Sequence, residues 1–454
     1  MRREKSYAGI TTVIVLLLLI GVAFFIYNSK YFERNAPKIV VKNEIYWNMQ
    51  KPIDIVLKDD SGIKFAQATL SDGKNSFVAA SIIYNSPKKT VHLLIKPPKN
   101  SFMYKKEHFT LSVQTVDTSK WHFFSGNKAI KKIDITVDRK RPTLYIVNNS
   151  YGIRKGGSAL VIFKANDKNM ESLYIQTYGK RFYPTPFYKK GYYISLIAWP
   201  IKEKKFRADI IAIDKAGNRS RAHIPLYFKS SYYRKSTIKL SDKFLNGKVA
   251  DFIEQVAPKL SKETPIKKFI YINEKERKKD EDLIHKVTTP TDSSLIKNFY
   301  LKPFHPLKNG ARVASFGDSR TYIYNGKVVS HSYHLGIDLA SVKNAKIRSS
   351  NKGIVSFAKF NGIYGNNLII YHGLGLYSLY GHTSEFLVQK DDSVKRNQIV
   401  ARTGTTGMAM GDHLHFGILI QGVEVYPKEW FDKNWMKLNI FDIIKDAKKI
   451  IDKK

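Results

Sequence analysis

The chain has 454 residues, more than one ordinary core accommodates, and its 43% apolar content is that of a globular protein, which argues against long disorder. Lys and Arg outnumber Asp and Glu by 77 to 38, a formal charge of +39 that favours anionic partners: nucleic acid, an anionic membrane surface, or an acidic polymer such as a cell wall with free carboxylates. Cysteine is absent, so disulfides and thiolate-held structural zinc are excluded.

Arg2, Arg3 and Lys5 precede an uncharged apolar run over residues 8 to 27, long enough to cross a bilayer as one helix. The run ends Val22-Ala23-Phe24-Phe25-Ile26-Tyr27 without a small-residue cleavage pair, so residues 1–30 read as a cytoplasmic tail and an uncleaved signal anchor. A short basic tail before a long translocated body places that body outside the cytoplasm. The expected location is an inner membrane, crossed once, with the body on the periplasmic side.

From residue 37 the pattern alternates and is β-branched, as in Ile53-Asp54-Ile55-Val56-Leu57 and Ile133-Asp134-Ile135-Thr136-Val137. Short strands between turn residues predict two β-sandwich units, over 37–138 and 142–229. Asp59-Asp60-Ser61-Gly62 is echoed by Asn166-Asp167-Lys168-Asn169, and Val116-Asp117 by Ile213-Asp214-Lys215-Ala216-Gly217-Asn218. The last stretch resembles a turn of bacterial immunoglobulin-like domains. A spacer or docking role is the expectation for both units. Over 230–298 the period becomes helical, with Val249, Phe252, Ile253 and Val256 in step and a second helix expected from about residue 272 to 287. This connector could pack on the next domain, shield its cleft, or merely join domains. Glycine-punctuated short strands return over 299–436, and 437–454 reads as a basic amphipathic helix.

In this last domain His334-Leu335-Gly336-Ile337-Asp338 is answered roughly eighty residues later by His413-Leu414-His415. Two histidines and a carboxylate can hold Zn²⁺ by three ligands and leave a fourth position for water, the pattern of a hydrolytic rather than a structural site. Residues i and i+2 share a strand face, so His413 and His415 both reach one cleft if Leu414 points into the core. Only one of them fits easily into the shell of His334 and Asp338; the other is free for proton work. His382 is a second candidate for that work. His331 and His372 read as supporting or structural, Asp318 and Arg320 as a turn or a cleft wall. His92, His108, His122, His223, His285 and His305 carry no functional expectation.

Gly317-Asp318-Ser319-Arg320, His334-x-x-x-Asp338, Tyr364-Gly365-Asn366-Asn367, Tyr380-Gly381-His382 and Gly411-Asp412-His413-Leu414-His415-Phe416-Gly417 stand in the order found in lysostaphin/LytM-type zinc metallopeptidases. The region from about residue 299 to 430 resembles that family. The resemblance implies an antiparallel β fold with a groove, one Zn²⁺ per chain on His334, Asp338 and His415, and His382 and His413 as the catalytic pair. It implies peptidoglycan as substrate, with hydrolysis of its peptide cross-links in wall remodelling or cell shape. The alternative is a non-catalytic LytM-like regulator that activates another wall hydrolase. A membrane contact through the first helix is expected, cell-wall, divisome or shape proteins could dock on the β-units, and no nucleic acid is expected because no motif for it accompanies the dispersed charge.

Overall fold

The computed structural model describes residues 8–97 and 105–453; Arg2, Arg3 and Lys5 lie outside them. The apolar run is one helix, Ala8–Asn28, with nearly every described side chain exposed. Its segment Gly9–Asn28 is long and apolar enough to cross a membrane. The rest is mainly β and falls into two compact units, residues 1–141 with 213–219, and residues 142–212 with 220–454.

The first unit is built on a long antiparallel hairpin, Ile53–Ser71 with Ser76–Ile95. Strand alternation turns Ile55, Leu57, Ala66, Ala68 and Leu70 inward, where Leu111, Val113, Ile133 and Ile135 meet them. All six strands hydrogen-bond in one sheet rather than two. Register shifts between Lys58 and Phe65 bend the hairpin, so a single sheet can fold over its own core. The repeated acidic motifs are turns: Asp59 Oδ1 accepts from the N–H groups of Ser61 and Gly62, at 2.9 and 2.8 Å. Asp214 Oδ1 likewise accepts from Asn218 N–H at 2.8 Å.

In the second unit two four-stranded sheets come first. One orders Thr185–Pro186, Tyr192–Ala198, Ser158–Asn166 and Thr143–Asn149; the other orders Lys180–Phe182, Met170–Thr177, Asp209–Asp214 and Arg219–His223. The connector follows. Its main helix starts at Pro265, earlier than the expected 272, because proline suits a first helical turn. It passes through a π-helical turn, Ile272–Glu276, and continues as Arg277–Thr288. The C-terminal domain is built on an eight-stranded antiparallel sheet. Ala311–Ala314, Ile337–Ala340, Leu414–Ile420, Leu376–Thr383, Asn366–Tyr371, Gly353–Phe360 and Ser393–Val394 stand in that order, and Val423–Val425 pairs with Leu414–Ile420. The helix Asp442–Asp452 ends the chain's regular structure, presenting Ile444, Ala447 and Ile451 to the core.

The paired sheets and the C-terminal domain share one apolar core, which includes Phe163, Ile194, Phe304, Phe416 and Trp430. Polar contacts reinforce it. The buried Glu429 Oε2 accepts from Ser158 N–H and Oγ–H, both at 3.0 Å, and Trp430 Nε1–H donates to Ser158 Oγ at 3.2 Å. Gln421 exchanges two backbone bonds with Tyr183, at 2.7 and 3.0 Å. A chain beginning at Ser294 would bare this apolar face and strand buried polar groups, each costing about 1–3 kcal/mol. Such a chain is expected to aggregate or to melt well below the full chain in a thermal scan; equal melting temperatures would show that the core is not shared.

Candidate active site

Three neighbouring strands of the large sheet carry the site. Ile337–Ala340 and Leu414–Ile420 pair antiparallel with Asp338 opposite His415, and Gly381 of Leu376–Thr383 lies opposite His415 on the other side. Leu414 is fully buried, as the alternation required, so His413 and His415 both face the cleft. His334 reaches the same point from the loop before Ile337. Its Nε2 is 3.0 Å from Asp338 Oδ1 and 3.1 Å from His415 Nδ1, and His415 Nδ1 is 2.8 Å from Asp338 Oδ1. Gly336 makes room for this: a Cβ there would sit 2.6 Å from His415 Cε1 and Nε2.

The donor set is two imidazole nitrogens and a carboxylate oxygen crowded around one point, which fits a small cation that accepts nitrogen and oxygen, as Zn²⁺ does. His334 Nδ1–H donates to Ser315 C=O at 2.9 Å, which orients the ring with Nε2 toward Asp338. Burial alone would raise the Asp338 carboxyl, but hydrogen bonds with His334 and His415 outweigh it and hold it well below the usual carboxylate range. Asp338 is therefore a carboxylate, the form in which it can ligate a metal.

His382 and His413 stand beside this cluster, ring centroids 4.8 Å apart. Each fixes its tautomer the same way: Nδ1–H of His382 donates to Thr406 C=O at 2.9 Å, and that of His413 to Gly411 C=O at 2.8 Å. His413 Nε2 is 3.8 Å from Asp338 Oδ1. His382 has φ +63°, unusual for a non-glycine residue, and sits where the pairing register slips between Asn366 and Leu368. That bulge re-aims the ring into the cleft. Burial, with His415 and His413 nearby, lowers the His382 pKa to about 3, so the ring is neutral at physiological pH.

These groups open into a cleft of about 600 Å³. Its walls include Arg320, Tyr364, Met408, Met410 and, from the connector, Ile238 and Arg277. Tyr364 is buried and packs edge-on against His415 at 5.4 Å; burial raises its phenol well above the usual value, so it remains a donor. Asp318 is not itself a wall: its two carboxylate oxygens take Ser236 Oγ–H at 2.7 Å and Arg320 Nε at 3.3 Å. His372 is a buried structural residue bonded to Lys352 C=O and Ser378 Oγ, while His331 contacts Thr321 outside the cleft. His92, His223 and His285 pair with Asp54, Asp209 and Glu424. The motif Tyr364-Gly365-Asn366-Asn367 flagged the Tyr364 region, whereas no sequence signal marks Arg277, which lies inside a run of charged residues.

The wall at Tyr364 is held by Asp280 of the connector, whose Oδ2 accepts from Ile363 N–H at 2.7 Å. Burial raises the Asp280 pKa from 3.8 to about 7. A carboxyl raised in the folded state contributes stability that is complete below the unfolded value and is lost as pH rises through the folded one. Urea stability is therefore expected to decline between pH 4 and 8, and Asp280→Asn to flatten that slope; an unchanged slope would remove Asp280 as its cause.

Residues 332–427 match the model of peptidase family M23, so this segment is an M23 domain. Over 111 residues it is 33% identical to the "DD-carboxypeptidase/endopeptidase Mpg" of Neisseria meningitidis, covering 24% of this chain and 26% of that one. Over 108 residues it is 34% identical to the "Peptidoglycan DD-endopeptidase ShyB" of Vibrio cholerae, covering 24% and 25%. The chain thus spans about a quarter of the length of the curated relatives it matches. Among solved structures, the catalytic domain of lysostaphin from Staphylococcus simulans aligns with TM-score 0.23 and 23% identity, over 27% of this chain and 92% of that one.

Proposed function

We propose that this chain is a membrane-anchored zinc endopeptidase that hydrolyses peptide cross-links of bacterial peptidoglycan on the periplasmic side of the inner membrane. The observation that carries the reading is the constellation itself. His334, Asp338 and His415 bring three ligand atoms within 3.1 Å of one another, and two further histidines, each anchored through Nδ1 on a backbone carbonyl, stand beside them. Similarity to the peptidoglycan DD-endopeptidase ShyB of Vibrio cholerae supports the choice of substrate.

A bound Zn²⁺ supplies Lewis acidity, polarising the scissile carbonyl and lowering the pKa of water to about 7. The chain's own residues do the rest. His413 Nε2 or His382 Nε2 takes the proton of the attacking water, and the same imidazole returns it to the leaving amine. The other ring, and the Tyr364 hydroxyl, can donate to the oxygen on which charge develops. Thr406 and Gly411 carbonyls keep both histidines in the tautomer this needs. The strongly basic surface suits an anionic polymer, and the apolar helix Ala8–Asn28 supplies the anchor.

The test uses the full chain in detergent, reconstituted with zinc and incubated with purified sacculi. One equivalent of zinc and release of monomeric muropeptides are expected, with the cleaved bond read by mass. Zinc binding with no release, even from a soluble cross-linked dimer, would overturn the peptidase and favour a regulator of another hydrolase.

A further inference from the structure

The connector does more than join domains, because it places one guanidinium in the cleft. Arg277 opens the helix Arg277–Thr288 directly after the π-helical turn, a deviation often found where a helix serves a site. Its Nε and Nη2 both donate to Asn273 Oδ1, at 3.2 and 3.0 Å. Asn273 is buried and in turn donates from Nδ2 to Ser330 Oγ at 2.8 Å and to His331 C=O at 3.1 Å. The fork is thus tied, through a side-chain amide, to the strand Lys327–Tyr333.

What holds Arg277 is neutral. Among the described residues it makes no ion pair, while the carboxylates nearest in sequence are engaged elsewhere. Glu276 takes Lys279 at 2.8 Å, Glu281 takes Lys202 at 3.3 Å, and Asp280 accepts from Ile363 N–H. Arg320, the other guanidinium of the cleft, already has a partner in Asp318. A positioned arginine with no ion-pair partner among the described residues, lining a cleft, is suited to take a carboxylate in a charge-assisted bond.

Resting on the peptidase reading, the geometry points to Arg277 as a specificity-determining residue that binds a free carboxylate of the peptide stem beside the bond to be cut. A cross-linked stem of the diaminopimelate type offers such carboxylates at its peptide terminus and on its diamino-acid side chain. The residue lies outside the segment 332–427, so substrate choice would be shared between the M23 domain and its connector.

The test is equilibrium binding by titration calorimetry to the zinc-loaded full chain carrying His413→Ala, which slows cleavage, with and without Arg277→Ala. The probes are a synthetic cross-linked dimer with free carboxylates, its fully amidated counterpart, and two dimers amidated only at the terminus or only at the side chain. The free dimer is expected to bind about ten- to a hundredfold more tightly than the fully amidated one, and Arg277→Ala to erase that difference without weakening the amidated dimer. The singly amidated dimers then show which carboxylate is read. Arg277→Lys should restore part of the preference through charge alone, and Arg277→Gln replaces the alanine variant if that one does not fold. Equal weakening of every dimer would make Arg277 merely structural, and equal binding of free and amidated dimers by the parent would overturn the proposal. Carboxylate-dependent binding by a chain that cleaves nothing would instead overturn the peptidase and leave this site standing. Binding of no dimer would overturn both.

Discussion

Asp338→Ala is expected to leave a folded chain that retains little zinc and releases muropeptides about a thousandfold more slowly than the parent, or not at all. The carboxylate is the one anionic donor of the proposed set, and it also contacts both imidazoles, at 3.0 and 2.8 Å. Removing it leaves two neutral ligands. It also removes several kcal/mol of transition-state charge stabilisation that the metal supplies, and about 4 kcal/mol corresponds to a thousandfold in rate. The fold should survive, because the backbone pairing of Ile337–Ala340 with Leu414–Ile420 does not depend on that side chain. Metal analysis, circular dichroism and sacculus digestion check the three parts separately. A variant that kept one equivalent of zinc and the parental rate would remove Asp338 from the site.

His413→Ala should behave differently. Zinc stays near one equivalent, because His413 Nε2 lies 3.8 Å from Asp338 and outside the tight triad, while kcat falls by about 10² to 10⁴. His382→Ala is expected to fall in the same range, and the double variant by far less than the product, since two groups serving one proton path act as a unit. Single-turnover cleavage of a cross-linked dimer, with zinc measured on the same samples, separates this outcome from loss of metal. Parental kcat in both single variants would leave the proton work to some other group.

That His334 and Asp338 would meet one histidine of the 413/415 pair could be anticipated from spacing, because a strand period of two and a buried Leu414 put both rings on one face; the choice of His415 came from the family resemblance alone. His382 was visible as a candidate, but not the means by which it enters the cleft. The slip in register and the positive φ belong to the pairing of two strands, which neither strand's own residues encode. Arg277 was hidden by its surroundings, Lys275 to Lys279, where charge usually signals a solvated helix face. Its position is set by a buried asparagine on the previous turn. The single sheet of the first unit was also out of reach: alternation shows which face is buried and leaves open which strand is the neighbour. The shared core of residues 142–212 with the C-terminal domain is a long-range packing fact of the same kind.

That shared core has a mechanical meaning. A chain moored at one end in a membrane and gripping a stretched wall strand at the other would carry tension along its length. Everything from Pro142 onward, apart from the excursion at 213–219, would take that load as one stiff block, because Ser158, Glu429 and Trp430 are riveted inside it.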